Sequence, residues 1–380
     1  MDAVAKIELL GRAAQHDLCA ACGADASRKR DEMDRWIYPV AMPDGKRVRL
    51  LKILQTNVCE KNCYYCANRA GRDVERISFG PEELAGVFDQ MHRANLIDGL
   101  FLSSGVCAGS DRSMDRMIAC VELIRQRYAF PGYVHLKLLP GASEAHVERA
   151  MQIADRVSVN LEAPNADRLA AIAPVKDFDS LAQPLHTVKR LRDASGDRLA
   201  RAGQTTQFVV GAAGEADREI LSTTAGLYRD VGLSRAYFSA FQPIPGTPLD
   251  GLPPTPTWRE HRLYQSDWLL RFYGFTFDDL VFDAAGNLPR EADPKQIYAR
   301  AHPECYPVEV NRASREELLR VPGLGPRSVT RLVQWRCQGA LRDLADLKKA
   351  GAVAERAAPY VLLDGKQPPH QLKLWEEWPE

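Results

Sequence analysis

Arg47-Val48-Arg49-Leu50-Leu51-Lys52-Ile53-Leu54-Gln55-Thr56-Asn57-Val58-Cys59-Glu60-Lys61-Asn62-Cys63-Tyr64-Tyr65-Cys66 opens as an apolar run rich in branched side chains and closes on three closely spaced cysteines. The first part, 47–54, reads as a strand with both faces covered, and the cysteines follow in a polar loop at its C-terminal end. Working outward, short apolar runs recur at 99–102, 133–139, 156–161, 205–210 and 236–241, separated by amphipathic stretches. One such stretch begins Pro81-Glu82-Glu83-Leu84, with Pro in the first turn and acidic residues beside the positive helix end; Leu84, Val87, Phe88 and Met91 form its apolar stripe. Six strand–helix units in a row imply parallel strands with right-handed crossovers. The expected fold is α/β, a partial (β/α)6 TIM-like barrel, or failing that an open doubly wound sheet. Either way the chemistry belongs at the C-terminal ends of the strands.

Beyond this core the chain divides by composition. Residues 1–46 form an N-terminal extension, 47–273 the barrel, 274–305 a linker or cap, 306–365 a small all-α domain and 366–380 a tail. The chain has 380 residues, 50 Lys or Arg and 50 Asp or Glu, so it is no general polycation, and nucleic-acid binding has to be local. Charges fill the N-terminus where a secretory signal needs an apolar run, and no stretch has the uncharged length of a membrane span, so the expected location is the cytoplasm. Nine cysteines in so long a chain are too sparse for a disulfide scaffold and point to metal ligands, catalysis or core thiols.

Three thiolates spaced as Cys59, Cys63 and Cys66 can ligate three irons of a four-iron cluster and leave the fourth iron open to substrate or cofactor. Zinc is the alternative, with Cys19, Cys22, Cys63 and Cys66 as a four-thiolate structural site, but it leaves Cys59 unexplained. The three-then-two spacing, with aromatic Tyr65 before the last cysteine, resembles the signature of the radical S-adenosylmethionine (SAM) superfamily. The resemblance implies a 4Fe-4S cluster on the three cysteines and SAM at the open iron. Reduction of the cluster, by a donor such as flavodoxin or ferredoxin, would split SAM into methionine and a 5′-deoxyadenosyl radical that removes hydrogen from the substrate. It also assigns SAM contacts: Tyr65; the turn Ser103-Ser104-Gly105, where the superfamily usually has Gly-Gly-Glu; Asn160 and Glu162, suited to ribose hydroxyls; Gly211; and the loop Pro243-Ile244-Pro245-Gly246-Thr247-Pro248. No residue is assigned a catalytic acid or base role. Leu51-Lys52-Ile53-Leu54, Gly99 through Val106, His135-Leu136-Lys137 and Arg259 through Trp268 look like the radical SAM proteins grouped under DNA modification or repair.

In the last stretch His261, Tyr264, Gln265 and Trp268 share a helix face, which either lines the substrate cavity or packs on the barrel. Residues 306–365 carry ten Lys or Arg against seven Asp or Glu, a surplus of three positive charges. Their centre, Leu319-Arg320-Val321-Pro322-Gly323-Leu324-Gly325-Pro326-Arg327-Ser328, reads as helix, glycine hairpin and helix, an anion nest that resembles the helix-hairpin-helix module. That resemblance implies DNA or RNA phosphates held by Gly323, Gly325, Arg327 and Arg331. A second hairpin near Lys348-Lys349-Ala350-Gly351-Ala352 lacks the Gly-x-Gly pattern. The leading expectation is a radical SAM enzyme that modifies or repairs nucleic acid. The rivals are a radical SAM enzyme acting on a small molecule or protein, and a zinc-bearing DNA-binding adaptor without catalysis.

Overall fold

The computed structural model describes residues 2–14, 37–41 and 47–370. The chain falls into two compact units, Met1–His261 and Arg262–Glu380.

The first unit is built on one seven-stranded sheet: β1 (Ile37–Ala41), β2 (Arg47–Leu54), β3 (Gly99–Ser103), β4 (Tyr133–Lys137), β5 (Arg156–Ser158), β6 (Gln204–Val210) and β7 (Arg235–Ala240). The strands lie in sequence order, and β2 through β7 are all parallel. A doubly wound sheet reverses its order at a switch point. This one never does, so the partial barrel is the correct alternative. The helices are α1 (Ala3–Ala14), α2 (Pro81–Arg93), α3 (Ser110–Gln126), α4 (Glu144–Ile153), α5 (Ala166–Ile172), α6 (Phe178–Ser195) and α7 (Asp217–Asp230).

Alternation along the strands separates core from site. Leu51, Ile53, Leu100, Leu102, Val134, Leu136, Phe208, Val210, Ala236 and Phe238 are wholly buried. The residues between them, among them Leu54, Ser103, Lys137, Val209 and Ser239, line a cavity inside the barrel.

One strand was not anticipated. β1 pairs antiparallel with β2, Tyr38 opposite Leu50, in the stretch expected to be an N-terminal extension. Pro39 is compatible with this strand because β1 lies at the edge of the sheet. β5 is shorter than the expected 156–161. It stops at Ser158, yet Val159 N–H still donates to Thr205 O and Glu162 N–H to Gln207 O, so the segment stays extended toward the cavity.

Helix α8 (Thr257–Phe272) contains the boundary between the two units. The second unit continues with α9 (Pro294–Ala301), β8 (Val308–Glu309), α10 (Arg315–Arg320), α11 (Pro326–Trp335), α12 (Leu344–Lys349), α13 (Ala354–Ala357) and β9 (Val361–Leu362). Its core gathers Leu318, Leu319, Val321, Leu324, Val329, Leu332, Leu347 and Val361. Ser314 and Glu317 cap α10 reciprocally, Glu317 N–H donating to Ser314 Oγ at 3.1 Å and Ser314 N–H to Glu317 Oε2 at 2.7 Å. α10 and α11 follow one another across residues 321–325, and β8 pairs with β9 in parallel, so this part of the chain is not all-α as expected.

Candidate active site

The cysteine loop leaves the C-terminal end of β2 and is held in place by backbone bonds. Glu60 N–H donates to Val106 O and Tyr64 N–H to Ile172 O, both at 2.8 Å. Arg76 holds it from one side: its guanidinium donates to the carbonyls of Asn57, Asn68, Arg69 and Arg72 at 2.6 to 2.9 Å. Four carbonyls on one planar cation brace the loop. No motif surrounds Arg76, and the sequence reading passed over it.

Cys59, Cys63 and Cys66 all line one cavity of about 280 Å³ at the C-terminal ends of the strands. Cys63 is buried and the other two half-buried, all as free thiols. Burial pushes the Cys66 thiol up to about 12 and raises Cys63 as well, with Lys176 opposing the rise at both. Metal binding therefore has to displace protons from these sulfurs. Among the described residues no group of three or more His, Cys, Asp or Glu side chains is gathered to hold a single metal ion. A cluster asks for a wider spread, because each thiolate takes its own iron rather than sharing one ion at ~2.3 Å. Three soft thiols facing one cavity suit an iron–sulfur cluster. Cys19 and Cys22, the other half of the zinc alternative, lie outside the described residues.

The turn after β3 closes on this loop. Gln55 N–H donates to Ser103 O and Gly105 N–H to Thr56 O, both at 2.8 Å. A Cβ on Gly105 would stand 2.3 Å from Val58 O and 3.2 Å from Cys59 Cβ, so only glycine permits the approach. Ser103, Ser104, Gly105, Tyr65, Asn160 and Glu162 all line the cavity, as do Phe241, Gln242 and Ile244. Arg72 ties the following loop down, donating to Pro245 O at 3.2 Å. Gly211 does not line it. Its N–H donates to the Glu215 carboxylate, its φ is +91°, and Thr255 Oγ1 fills the place of a Cβ, so this glycine serves the turn.

A second residue missed in the sequence is Lys176. Its ammonium donates to Glu162 Oε1 at 2.9 Å and to Tyr65 Oη at 3.2 Å inside the cavity wall. The Lys176 and Glu162 side chains are 10% and 7% exposed. Burial works against charge on Lys176, but Glu162 and the neighbouring thiols outweigh it and hold its pKa above the usual value. Burial raises the Tyr65 hydroxyl well above its ordinary range, and Glu162 adds to the effect. Glu162 has a φ of +67°, a left-handed conformation that a non-glycine residue adopts at a penalty of about 1–3 kcal/mol. That strain sits where the chain turns a carboxylate into the cavity. Lys176 stands in Pro174-Val175-Lys176-Asp177, and the only local signal there is Asp177, which caps α6.

In the second unit the hairpin glycines serve different ends. Gly323 has a φ of +84°, and a Cβ there would lie 2.5 Å from Val353 O. Gly325 has room: the nearest atom to its Cβ would be Tyr273 Oη at 3.4 Å. The hairpin amides of Leu324 and Gly325 are already bonded, to Val321 O at 3.2 Å and Ser328 Oγ at 2.8 Å, which leaves less of an anion nest than the glycine pattern implied. Arg327 is exposed. Arg331 donates to Ala350 O at 3.2 Å and so braces the second hairpin. His261 lies in the first unit, whereas Tyr264, Gln265 and Trp268 line a cavity of the second unit together with Gly323 and Gly325.

Comparison with known proteins bears on the first unit. The family model of the Radical SAM superfamily matches residues 53–225, from within β2 into α7. The chain therefore carries a radical SAM domain, an enzyme domain whose family works with a 4Fe-4S cluster and SAM. Similar solved structures include methylornithine synthase (PylB), 13% identical with a TM-score of 0.47 over 71% of this chain and 69% of that one. Another is the FeFe-hydrogenase maturase HydG from Carboxydothermus hydrogenoformans, 14% identical with a TM-score of 0.46 over 58% and 51%. A third is a radical SAM methyltransferase from Sphaerobacter thermophilus, 14% identical with a TM-score of 0.45 over 70% and 86%. The chain spans about half the length of the HydG chains it resembles. No curated protein matches the sequence. Among the described residues no helix is long and apolar enough to cross a membrane.

Proposed function

We propose that the protein is a radical SAM enzyme that modifies or repairs nucleic acid, with Cys59, Cys63 and Cys66 holding the cluster. The observation that carries the reading is the convergence of those three thiols on a cavity at the C-terminal ends of parallel strands. When bound and reduced, the cluster and SAM supply the electron transfer and sulfonium cleavage that begin hydrogen removal from a substrate.

The chain's own residues hold the cofactor in place. Ser103, Ser104 and Gly105 bring backbone against the cysteine loop, where the amino-acid end of SAM would lie. Asn160 and Glu162 meet the ribose, and Lys176 fixes the Glu162 carboxylate as an acceptor for hydroxyl hydrogens. Tyr65, held by the same ammonium, closes the wall and keeps water from the reacting carbon. Reducing equivalents come from a cellular donor such as flavodoxin or ferredoxin.

A nucleic-acid substrate is supported by the second unit, where α10, a glycine hairpin and α11 resemble the helix-hairpin-helix module in a segment with three surplus positive charges. Under this reading the barrel domain lies in the unit that ends at His261, and the hairpin domain, 306–365, in the unit that begins at Arg262. The test is anaerobic reconstitution with SAM, a reductant and defined damaged or undamaged oligonucleotides. A change in oligonucleotide mass that requires SAM supports the reading. Formation of 5′-deoxyadenosine with every oligonucleotide left intact transfers the proposal to a small-molecule or protein substrate.

A further inference from the structure

The polar face of α8 and the glycine hairpin, read separately in the sequence, meet in one cavity of about 540 Å³, within the usual range of small-ligand sites. Tyr264, Trp268 and Tyr273 supply its aromatic surface. Trp268 is 51% exposed, a large apolar ring left in water beside a cavity.

Lys295 is the second feature. Only 7% exposed, it lines the cavity, donates to the hairpin carbonyl of Leu324, and lies 4.6 Å from the centre of the Tyr273 ring. Arg356, also on the lining, pairs with Asp293. Two cations against one carboxylate leave the cavity one positive charge in excess. Burial pushes Lys295 down to about 7 against the pull of Asp293, whose carboxylate is already paired with Arg356, so a bound anion would help to hold this ammonium charged. With the Leu324 and Gly325 amides already bonded, cations on side chains are the anion-binding groups the cavity offers.

We propose that this cavity binds a nucleoside monophosphate group, its base against Trp268 and its phosphate at Lys295 and Arg356. An aromatic wall beside a buried cation matches the two ends of that ligand, a flat π-face and an anion. The group comes either as a free nucleotide or as one unpaired residue of a strand. A paired base is stacked on both faces and cannot reach the wall. The inference rests on the nucleic-acid reading for the source of its ligand.

The experiment uses the intact protein and measures binding of a short labelled single strand and of its duplex, with thymidine monophosphate and inorganic phosphate as competitors. Single strand binding more tightly than duplex, and losing about tenfold or more in Trp268→Ala, supports a strand residue as ligand. Thymidine monophosphate bound with the same dependence on Trp268, and no affinity for the strand, supports a free nucleotide. Lys295→Met should weaken thymidine monophosphate and inorganic phosphate alike. Trp268 is exposed, so its variant keeps the fold, and a thermal melt checks both variants. Equal binding of strand and duplex, unchanged in Trp268→Ala, overturns the cavity and leaves the nucleic-acid reading standing. No binding of strand or monophosphate by the intact protein also overturns it. Strand binding through Trp268 with no change in oligonucleotide mass under SAM and reductant sinks the catalytic reading instead.

Discussion

Two cavities of this molecule are built in opposite ways. The barrel cavity draws its reactive groups from one short loop, three cysteines within eight residues, and secures them with backbone bonds and Arg76. The cavity of the second unit has no such motif. It is assembled from α8, α9 and both hairpins, segments far apart in sequence, and of its charged residues, Asp293, Lys295 and Arg356, the lysine alone is buried. A site whose chemistry sits in one loop is announced by spacing. A site whose chemistry depends on burial appears only after folding.

Substitutions can break that contrast, and the largest effect belongs to the loop. Cys63→Ala should reduce 5′-deoxyadenosine formation to background and lower the iron and sulfide bound per chain, with the thermal melt of the unloaded protein little changed. Retention of full iron content would break the assignment.

Next comes the buried pair beside it. Lys176→Met leaves Glu162 buried without its ammonium, and breaking such a pair costs about 3–5 kcal/mol. Urea unfolding should show that loss, and Lys176→Met with Glu162→Gln should recover part of it. No difference between the single and double variants would mean that the pair is not coupled.

The hairpin glycines sharpen the comparison at smaller scale. Gly323→Ala meets a left-handed backbone worth about 1–2 kcal/mol, and a clash with Val353 O besides. Gly325→Ala should lie below about 1 kcal/mol, because its φ is −115° and its surroundings are open. Thermal melts order the two. For nucleic-acid binding, Gly323 is therefore a poor probe and Gly325 or Arg327 a better one.

Lys295 adds a pH dependence. Its folded-state pKa, about 7, lies below the ordinary 10.5, so between those values the unfolded chain binds more protons and stability rises with pH. The stability difference between Lys295→Met and the parent protein should shrink from pH 7 toward pH 10, measured by thermal melts. A difference constant with pH would show that the buried amine does not titrate in this window.

How much the sequence disclosed follows from where the information resides. Six of the seven strands of the sheet were legible because branched apolar runs of strand length recur between amphipathic helices. β1 was not, since Pro39 is tolerated only by virtue of its edge position, which is a tertiary fact. Cys59, Cys63, Cys66, the Ser103 turn and Glu162, all on the lining of the barrel cavity, were singled out by local motifs. Lys176 and Arg76 escaped because a lone cation in a loop is ordinary, and only burial beside Glu162 or beneath four carbonyls distinguishes them. Gly211 stood in the expected place, yet Thr255, 44 residues later, decides what it does. Tyr264 and Trp268 were read as one face, but nothing in their spacing placed Gly323 and Lys295 opposite them.

The central claim, hydrogen removal from nucleic acid at the barrel cavity, is tested most directly by isotope transfer. Reconstituted enzyme, reductant and unlabelled SAM are mixed with a uniformly deuterated oligonucleotide, and the 5′-deoxyadenosine is analysed by mass spectrometry. The account predicts deuterium in that product, absent in Cys63→Ala. Abundant 5′-deoxyadenosine carrying no deuterium, across damaged and undamaged strands of DNA and RNA, would contradict it.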